Sequence, residues 1–431
     1  MGEKVVIFWF RRDLRLHDNV GLFNALKSKF PVLPIFIFDT EILEKLPEDD
    51  ARVSFIFETL QLLRSKLLDI GSSLALYYGK PEPIFQKILE NYVIQEVFTN
   101  GDYEPYALER DAGIKNLLAE KNISFNVFKD QVIFEKNEIV KPNGDPYVVY
   151  TPYMTLWKNH FRKINLASYP VSFDKFLREK DLPNLTLKEI GFKPSEITVP
   201  ENKTSSELIK KYNKNRNFPG KDSTSRLGPH LRFGTVSIRE MVTQAASEND
   251  ETFLQELIWR EFFMQILFHY PRTVTEAFKS KYDRIPWRNN EEEFKIWQAG
   301  KTGFPLVDAG MRQLKQTGFM HNRIRMLVAS FLCKHLLIDW RWGEAHFAKY
   351  LLDYEMASNV GNWQWAAGSG VDAAPYFRIF NPTTQIQKFD PDNTYIKKYV
   401  PEFGTTNYPE PMVDHKEARE RALRVYKASL S

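Results

Sequence analysis

Residues 5–10 read VVIFWF, an apolar run of β-branched and aromatic side chains that is typical of a buried strand. Four more short runs of this kind follow, at residues 32–39, 73–78, 94–99 and 123–128. Segments of helical length and period lie between them. Strands that alternate with helices predict an N-terminal α/β domain with a parallel, doubly wound sheet.

The segment RRDLRLHDN, residues 11–19, directly follows the first predicted strand. Ligands of doubly wound sheets bind beyond the carboxyl ends of the strands, so this loop lies where a ligand is expected. It contains no G-x-G-x-x-G, so a dinucleotide-binding fingerprint is absent. Its alternating arginines and aspartates favour an ion-pair network that fixes the loop over a catalytic group.

The rest of the chain changes character twice. Residues 131–204 are rich in Pro, Asn and Lys and have little sustained period, which predicts an inter-domain linker. From residue 205 onward the apolar period is helical, which predicts an all-α domain. We therefore expect an α/β domain at 1–130, the linker at 131–204 and a helical domain at 205–431.

The bulk composition describes a soluble globular protein, with 43% hydrophobic and 26% charged residues in 431. No apolar run reaches eighteen residues, and MGEKVVIFWF lacks the layout of a signal peptide, so neither a membrane span nor export is expected. Cys333 is the single cysteine, which excludes a disulfide framework and a thiolate metal cluster. A cytoplasmic location is expected. The net charge of +4 permits a polyanionic partner without requiring one.

Residues 353–382, DYEMASNVGNWQWAAGSGVDAAPYFRIFNP, combine aromatic, Asn and Gly residues in an unusual density. Asn359 and Trp363 are spaced i, i+4, so on a helix they share one face. Gly368 and Gly370 allow the backbone to turn or to approach a flat partner closely. This pattern fits the wall of a cavity for a large planar ligand. An aromatic packing corner fits it equally well.

The stretch STSRLGPHLRFGTVS, residues 223–237, places three hydroxyl side chains and an arginine at a predicted helix start. Hydroxyls, free backbone N–H groups and a guanidinium together suit a phosphate or pyrophosphate. An ordinary helix N-cap is the simpler interpretation and is favoured on this stretch alone.

The stretch ELIWREFFMQ, residues 256–265, predicts a buried helix that carries charge. Glu256 and Trp259 share a face at i, i+3. A carboxylate in an apolar helix is costly unless it has a partner, which makes Glu256 a candidate site residue. The alternative is a buried pair between Glu256 and an arginine.

In TGFMHNRIRML, residues 317–327, a helix would place Asn322, Arg325 and Met326 on one side and direct Arg323 elsewhere. Arg325 is suited to pair with a carboxylate such as Asp353. Three tryptophans from separate segments, Trp287, Trp340 and Trp363, are most simply core residues.

Taken together, these segments resemble the photolyase/cryptochrome family, and within it the class I cyclobutane pyrimidine dimer (CPD) photolyases. The resemblance is carried by WREF, TGFMHNRIRM and NWQWAAGSGVDAAPYFRIFNP, covers essentially the whole chain and is densest over residues 212–382. The family has an N-terminal α/β domain, a long linker and a helical FAD-binding domain. The resemblance therefore implies the same architecture as the patterns above.

The resemblance also implies a role for each matching residue. The positions that bind FAD are Tyr212, Thr224, Ser225, Arg226, Leu227, Arg260, Asn322, Arg325, Asp353, Glu355 and Asn359. The lesion pocket and the DNA contacts comprise Arg216, Glu256, Trp259, Asn322, Arg323, Met326 and Trp365, with the arginines on phosphates. Trp363, Trp340 and Trp287 form, in that order outward, an electron-transfer chain that photoreduces FAD. No metal is implied.

The implied activity is that of a deoxyribodipyrimidine photolyase, acting as a monomer on DNA that contains pyrimidine dimers. A dimer cannot be reached inside a duplex, so it must flip into a pocket. Reduced FAD would absorb light and donate an electron, the ring would split, and the electron would return. Asn359 near flavin N5, Glu256 at a pyrimidine carbonyl and Met326 in the pocket are the implied catalytic residues.

The chain departs from the family pattern in two places. Glu355 stands where Asp is usual, and residues 360–362 read Val-Gly-Asn where Asn-Gly-Gly is usual. Both changes lie beside the expected FAD site and should tune redox behaviour without abolishing binding. In the α/β domain, Glu109 matches an acidic residue of folate-binding members, but Leu108 replaces the expected Asn. A folate, a deazaflavin, a second flavin or no antenna chromophore therefore all stay open.

Three other functions within the family are less favoured. Light-signalling cryptochromes commonly lose the tryptophans or the asparagine found here at Trp259, Trp365 and Asn359. Repair of the six-four photoproduct needs a histidine pair, and MHNRIRM supplies one histidine. Relatives of the cryptochrome-DASH type usually lack the paired tryptophans. Repair of CPDs is therefore predicted, with a cryptochrome-type receptor as the alternative.

Overall fold

The computed structural model describes residues 3–430. These residues divide into two compact units. The first contains the chain up to Glu138 together with Trp157–Asn202 and Arg226–Ser247, and the second contains Ile139–Leu156, Lys203–Ser225 and the chain from Glu248 onward. The division into an α/β domain at 1–130, a linker at 131–204 and a helical domain at 205–431 stays a prediction.

The first unit is built on a five-stranded parallel sheet of order β3-β2-β1-β4-β5. Its elements are β1 (Lys4–Phe10), α1 (Val20–Leu26), β2 (Val32–Phe38), α2 (Thr40–Leu43), α3 (Ala51–Asp69), β3 (Ala75–Tyr78), α4 (Pro81–Asn91), β4 (Val93–Asn100), α5 (Pro105–Ala119), β5 (Ser124–Phe128), α8 (Leu227–Phe233) and α9 (Ile238–Ala246). The predicted N-terminal α/β fold is confirmed.

Strand β1 lies in the middle of this sheet and is buried on both faces. The side chains at positions 6, 8 and 10 pack into one hydrophobic cluster. Those at positions 5, 7 and 9 pack into another. Successive side chains of a strand point to opposite faces, so an uninterrupted apolar run is what a strand covered on both sides requires.

The loop after β1 is fixed by ion pairs, as predicted. Arg15 donates to both carboxylate oxygens of Asp130 at 2.8 Å. Arg239 of α9 donates to Asp18 Oδ2 at 3.0 Å and to Asp130 Oδ1 at 2.9 Å. Burial raises the pKa of Asp130, but Arg15 and Arg239 outweigh it and hold that pKa below its ordinary value.

The second unit is helical, which confirms the predicted all-α C-terminal fold. Its elements are α7 (Ser206–Asn215), α10 (Thr252–His269), α11 (Glu291–Gln298), α12 (Pro305–Thr317), α13 (Asn322–Ser330), α14 (Trp340–Tyr350), α15 (Met356–Ala367), α16 (Pro382–Phe389), α17 (Thr394–Tyr399) and α18 (His415–Leu430). A π-helical turn, Phe331–His335, follows α13 directly. Helix α6 (Tyr150–Phe161) begins in this unit.

Helix α15 is central to this unit because α10, α13 and α14 all pack on it. Gly343 of α14 explains the close approach of α14, since a Cβ there would lie 2.1 Å from the Trp363 ring. Among residues 3–430, no helix has the length and apolar character needed to cross a bilayer. The same residues contain no group of His, Cys, Asp or Glu side chains suited to hold a metal ion.

Lys334, in the π-helical turn, is a buried cation whose Nζ donates to the carbonyl oxygen of Arg378 at 2.8 Å. Burial lowers its pKa to about 8. Above that pH the unfolded chain binds a proton that the folded protein does not, so stability gains from rising pH. Relative to Lys334→Met, the wild-type protein should gain roughly 2 kcal/mol in free energy of unfolding between about pH 8 and pH 10. Urea denaturation at each pH measures this, and a constant difference would contradict it.

Candidate functional site

A polar cavity lies in the second unit among α13, α14, α15 and the connection that precedes α15. It is lined by Asn322, Arg325, Met326, Ala329, Phe347, Leu351, Asp353, Tyr354, Glu355, Ser358, Asn359, Asn362, Trp363, Trp365 and Ala366. Aromatic walls with a few convergent polar groups are typical of a ligand site. The structure thus brings predicted site residues from separate segments to one cavity.

One side of the cavity carries the predicted pair of Arg325 and Asp353, which is confirmed. Arg325 Nη2 donates to Asp353 Oδ2 at 2.8 Å, and its Nε donates to the Met320 carbonyl at 2.7 Å. The other carboxylate oxygen, Asp353 Oδ1, is buried and accepts no hydrogen bond from residues 3–430. A buried oxygen of this kind is costly without a donor, so the site fits a ligand that donates a hydrogen bond there.

A second ion pair joins α10 to the start of α15. Arg260 Nη2 donates to Glu355 Oε1 at 3.2 Å, and both side chains are largely buried. Glu355 is also the residue from which α15 starts, and its carbonyl accepts from the Asn359 backbone N–H at 2.8 Å. The longer side chain of Glu355 is therefore compatible with an ordered site.

Asn359 lies one turn into α15 and is held by α14. Its Nδ2 donates to the Glu344 carbonyl at 3.1 Å and to Glu344 Oε1 at 2.8 Å. Sequence reasoning missed Glu344. Its segment shows only the helical period, and its partner is fifteen residues away on another helix. Neither residue alone signals the contact.

Trp365 is half-buried at the cavity, whereas Trp259 lies outside the cavity lining. The Trp259 ring stacks on Tyr150 with centroids 3.6 Å apart and an angle of 8° between the planes. The ring centroid of Phe263 lies 5.5 Å from that of Trp259. Tyr150 was also missed, because it falls in the segment predicted as a linker.

Glu256 pairs with Arg216 of the loop after α7, and both are about one-third exposed. A Glu–Arg pair was the alternative considered for Glu256, but it was expected to be buried, and here it is partly exposed. Arg323 lies outside the cavity lining, as predicted, with its guanidinium 4.4 Å from the Phe389 ring. Burial, Arg216 and Arg378 lower the pKa of Arg323, so the three arginines form one positive region.

The predicted phosphate-binding residues are divided between the units. Thr224 and Ser225 belong to the second unit, together with Tyr212, whose ring meets Phe253 edge-on at 5.1 Å. Arg226 and Leu227 belong to the first unit. Arg226 precedes α8 with a left-handed φ of 56° and makes no side-chain capping hydrogen bond. The ordinary N-cap favoured for this stretch is therefore wrong.

The three predicted electron-transfer tryptophans differ in burial. Trp363 and Trp340 are buried, and Trp287 is half-buried. The ring centroid of Trp363 also lies 6.3 Å from that of Trp297. The sequence did not single out Trp297. Trp287 meets Tyr426 edge-on at 6.0 Å.

The first unit has its own cavity, of about 160 Å³, at the carboxyl ends of β1 and β2. Its lining includes Phe10, Phe38, Tyr106, Arg110 and Arg232. Leu108 and Glu109 are exposed on α5 and do not line it. The lining also contains Asp39, Asp102 and Glu104, so acidic and basic groups are mixed there. A cavity with aromatic walls and polar groups in this position suits a planar ligand.

Two family models match the chain. The model of DNA photolyase matches residues 6–171, and the model of the FAD binding domain of DNA photolyase matches residues 253–407. A deoxyribodipyrimidine photo-lyase of Halobacterium salinarum is 36% identical over 476 residues, which cover 97% of this chain and 98% of the relative.

Solved structures agree with these matches. A bacterial class III photolyase from Agrobacterium tumefaciens is 35% identical with a TM-score of 0.89, over 100% of this chain and 98% of that chain. An archaeal photolyase from Sulfolobus tokodaii, solved with two FAD molecules that imply a novel light-harvesting cofactor, is 33% identical with a TM-score of 0.83. That match covers 98% of this chain and 99% of the other.

Proposed function

The chain belongs to the DNA photolyase family, so we propose that it is a light-dependent DNA-repair enzyme that splits cyclobutane pyrimidine dimers. The observation that carries this proposal is the cavity in which Asn359, the Arg325–Asp353 pair and Trp365 converge. A flavin needs polar groups at its ring edge, and a flipped base needs an aromatic surface. The cavity provides both, from α13, from α15 and from the connection that precedes α15.

FAD is the cofactor that the FAD-binding domain accommodates. Asn322, Arg325, Asp353, Glu355 and Asn359 would surround its ring system, with the unpaired Asp353 Oδ1 accepting from the ring. Tyr212, Thr224, Ser225 and Arg260, which belong to the same unit, would complete the site. FAD bound there in its reduced form would supply the light-driven electron transfer that splits the dimer, and these residues would hold and orient its ring system. The roles of Arg226 and Leu227 stay predictions.

The protein's part in the reaction is to select, place and polarise the lesion. Trp259 and Trp365 flank the flipped dimer, and stacking on aromatic rings favours it independently of base sequence. Glu256, once protonated and released from Arg216, would donate a hydrogen bond to a pyrimidine carbonyl. Met326 lines the same cavity and excludes water. Arg216 and Arg323 bind backbone phosphates, so affinity should fall with salt.

We expect Trp363→Phe to abolish most photoreduction of oxidised FAD, because Trp363 lines the cavity and is the innermost indole of the predicted electron-transfer chain. Trp157→Phe, a buried change in the first unit, is the matched control. Illumination with an external reductant, followed by absorbance, measures the rate. Wild-type photoreduction in Trp363→Phe would remove the residue from the chain. Trp340 and Trp287 are tested in the same way.

The cavity of the first unit is proposed to hold an antenna chromophore. Its aromatic walls suit a flat ring system, a description that includes a folate, a deazaflavin and a second flavin. Its position at the carboxyl ends of β1 and β2 supports this proposal. Extraction of the purified protein and mass spectrometry of the released chromophores identifies the occupant.

A repair assay tests the proposed function. Purified protein, reduced and illuminated, is mixed with an oligonucleotide that carries one thymine dimer. Recovery of pyrimidine absorbance, absent in darkness, supports repair. Bound FAD without recovery in any illuminated sample would instead support the cryptochrome-type receptor. We further propose that the enzyme is a cytoplasmic monomer, which light scattering and fractionation would test.

A further inference from the structure

Two asparagine side chains lie at the exposed part of the lining of the second unit's cavity. Asn322 begins α13, Asn362 lies in the second turn of α15, and both are exposed. Asn359 and Trp363, which line the same cavity, are buried. Asn362 and Trp365 are three residues apart, so they share one side of α15. The Asn362 amide therefore lies at the entrance of the cavity, beside the half-buried Trp365 indole.

One hydrogen bond fixes how the Asn362 amide is turned. Its Nδ2 donates to the Ser358 carbonyl, one helical turn earlier, at 2.8 Å. A backbone carbonyl accepts hydrogen bonds and cannot donate them, so the group that meets it is assigned as the nitrogen. Within residues 3–430, Asn362 Oδ1 accepts no hydrogen bond. Asn362 therefore keeps its amide oxygen and one amide hydrogen available for a ligand.

The helix packing explains why a side chain is allowed at this position. Gly361 is the residue that needs to be small, because a Cβ there would lie 2.2 Å from the Phe263 ring. Asn362 lies one residue further round the helix, where the neighbouring space is the cavity. Glycine is usual at position 362 in the family, so the amide is an addition that the packing of α15 does not require.

The hydrogen-bonding edge of a thymine has the groups that this amide lacks. Its N3–H donates, and the carbonyl oxygens on either side accept. An amide carries an acceptor and a donor next to each other, so it can meet N3–H and one adjacent carbonyl together. Dimerisation joins the bases through C5 and C6 and leaves this edge unchanged. A flipped base is recognised through the same edge once it has left its pairing partner.

We propose that Asn362 is a lesion-binding residue whose amide oxygen accepts a hydrogen bond from the N3–H of one pyrimidine of the flipped dimer. The proposal rests on the proposed function, which places the dimer against Trp365. The Ser358 carbonyl holds the nitrogen of the amide, so the oxygen is the group that meets N3. A base that has no hydrogen on N3 is disfavoured there. Asn362 thus adds a base-specific contact to a pocket whose aromatic stacking tolerates any base.

Binding of dimer-containing duplex by purified holoprotein in darkness tests this contact. Asn362→Ala should weaken it about three- to tenfold, the net value of one hydrogen bond, and leave binding of undamaged duplex unchanged. Asn407→Ala is the matched control, because Asn407 is an exposed asparagine of the same unit that does not line the cavity. Wild-type affinity in Asn362→Ala would overturn the proposal, and so would equal losses for damaged and undamaged duplex.

Dimers that carry a methyl group on N3 of one thymine identify the hydrogen that is recognised. Methylation of the thymine that contacts Asn362 should weaken binding by wild-type protein about three- to tenfold more than binding by Asn362→Ala, which has no such contact to lose. Methylation of the other thymine should weaken both proteins equally. Equal penalties in both proteins at each thymine would overturn the proposal.

Failure of this inference differs from failure of the proposed function. Wild-type protein that does not bind flavin or split dimers would overturn the function. If wild-type protein does both, a normal dimer affinity in Asn362→Ala together with a shifted flavin potential would overturn the lesion contact alone and assign Asn362 to the cofactor. Asn362→Gly should reproduce the loss of Asn362→Ala. Visible spectra report the flavin content, so a variant that loses flavin is recognised and the other decides.

Discussion

Asp130→Ala is expected to lower the free energy of unfolding by about 3–5 kcal/mol, the usual cost of removing one partner from a buried charge network. Asp130 is 2% exposed and accepts from Arg15, from Arg239 and from the Val20 N–H. Without it, two buried guanidinium groups lose their shared carboxylate. The effect is large because a buried charge cannot be resolvated without opening the loop after β1.

Urea denaturation of the holoprotein, followed by circular dichroism, measures the loss. Asp69→Ala is the matched control, because Asp69 is exposed at the end of α3. Asp130→Asn, which keeps the shape and the acceptor oxygen, should lie between the control and Asp130→Ala. A loss below about 1 kcal/mol in Asp130→Ala, the range of a surface ion pair, would show that the network does not stabilise this unit.

Trp365→Ala should weaken binding of dimer-containing DNA by about 1–3 kcal/mol, the value of one base stacked on an aromatic ring. That range corresponds to about 5–150-fold in affinity. The half-buried indole of Trp365 lines the cavity, so its loss removes a wall of the proposed lesion pocket. Binding of undamaged duplex should stay unchanged, since it depends on phosphate contacts.

Fluorescence anisotropy in darkness, with damaged and undamaged oligonucleotides, measures this selectivity. Trp342→Ala is the control, because Trp342 is a half-buried tryptophan of the same unit that does not line the cavity. Equal losses for damaged and undamaged DNA would point to a general defect. An unchanged affinity for the dimer would exclude Trp365 from the pocket.

Much of the fold followed from local pattern. The apolar run of β1 is continuous because both sheet faces are covered, and the helical period after residue 205 persists to α18. The pair of Arg325 and Asp353 was also predictable, because a half-buried guanidinium in an apolar helix requires a carboxylate. The ordinary N-cap expected near residue 225 was wrong. Arg226 precedes α8 with a left-handed backbone, and its side chain makes no capping hydrogen bond.

The contacts of Asn359 and Trp259 were not predictable in this way. Glu344 meets Asn359 because Gly343 lets two helices approach, and Tyr150 meets Trp259 across about a hundred residues of chain. Neither Glu344 nor Tyr150 stands in a distinctive local pattern. Their significance appears only when the partner is in place.

The sequence by itself determined the α/β and helical halves, the family and the side chains available for FAD and the lesion. It could do so because strand and helix period, and motif spacing, are properties of neighbouring residues. The tertiary structure alone decided which residue holds the side chain of Asn359 and which ring stacks on Trp259. Those depend on distances between elements that are far apart in the chain, which only packing sets.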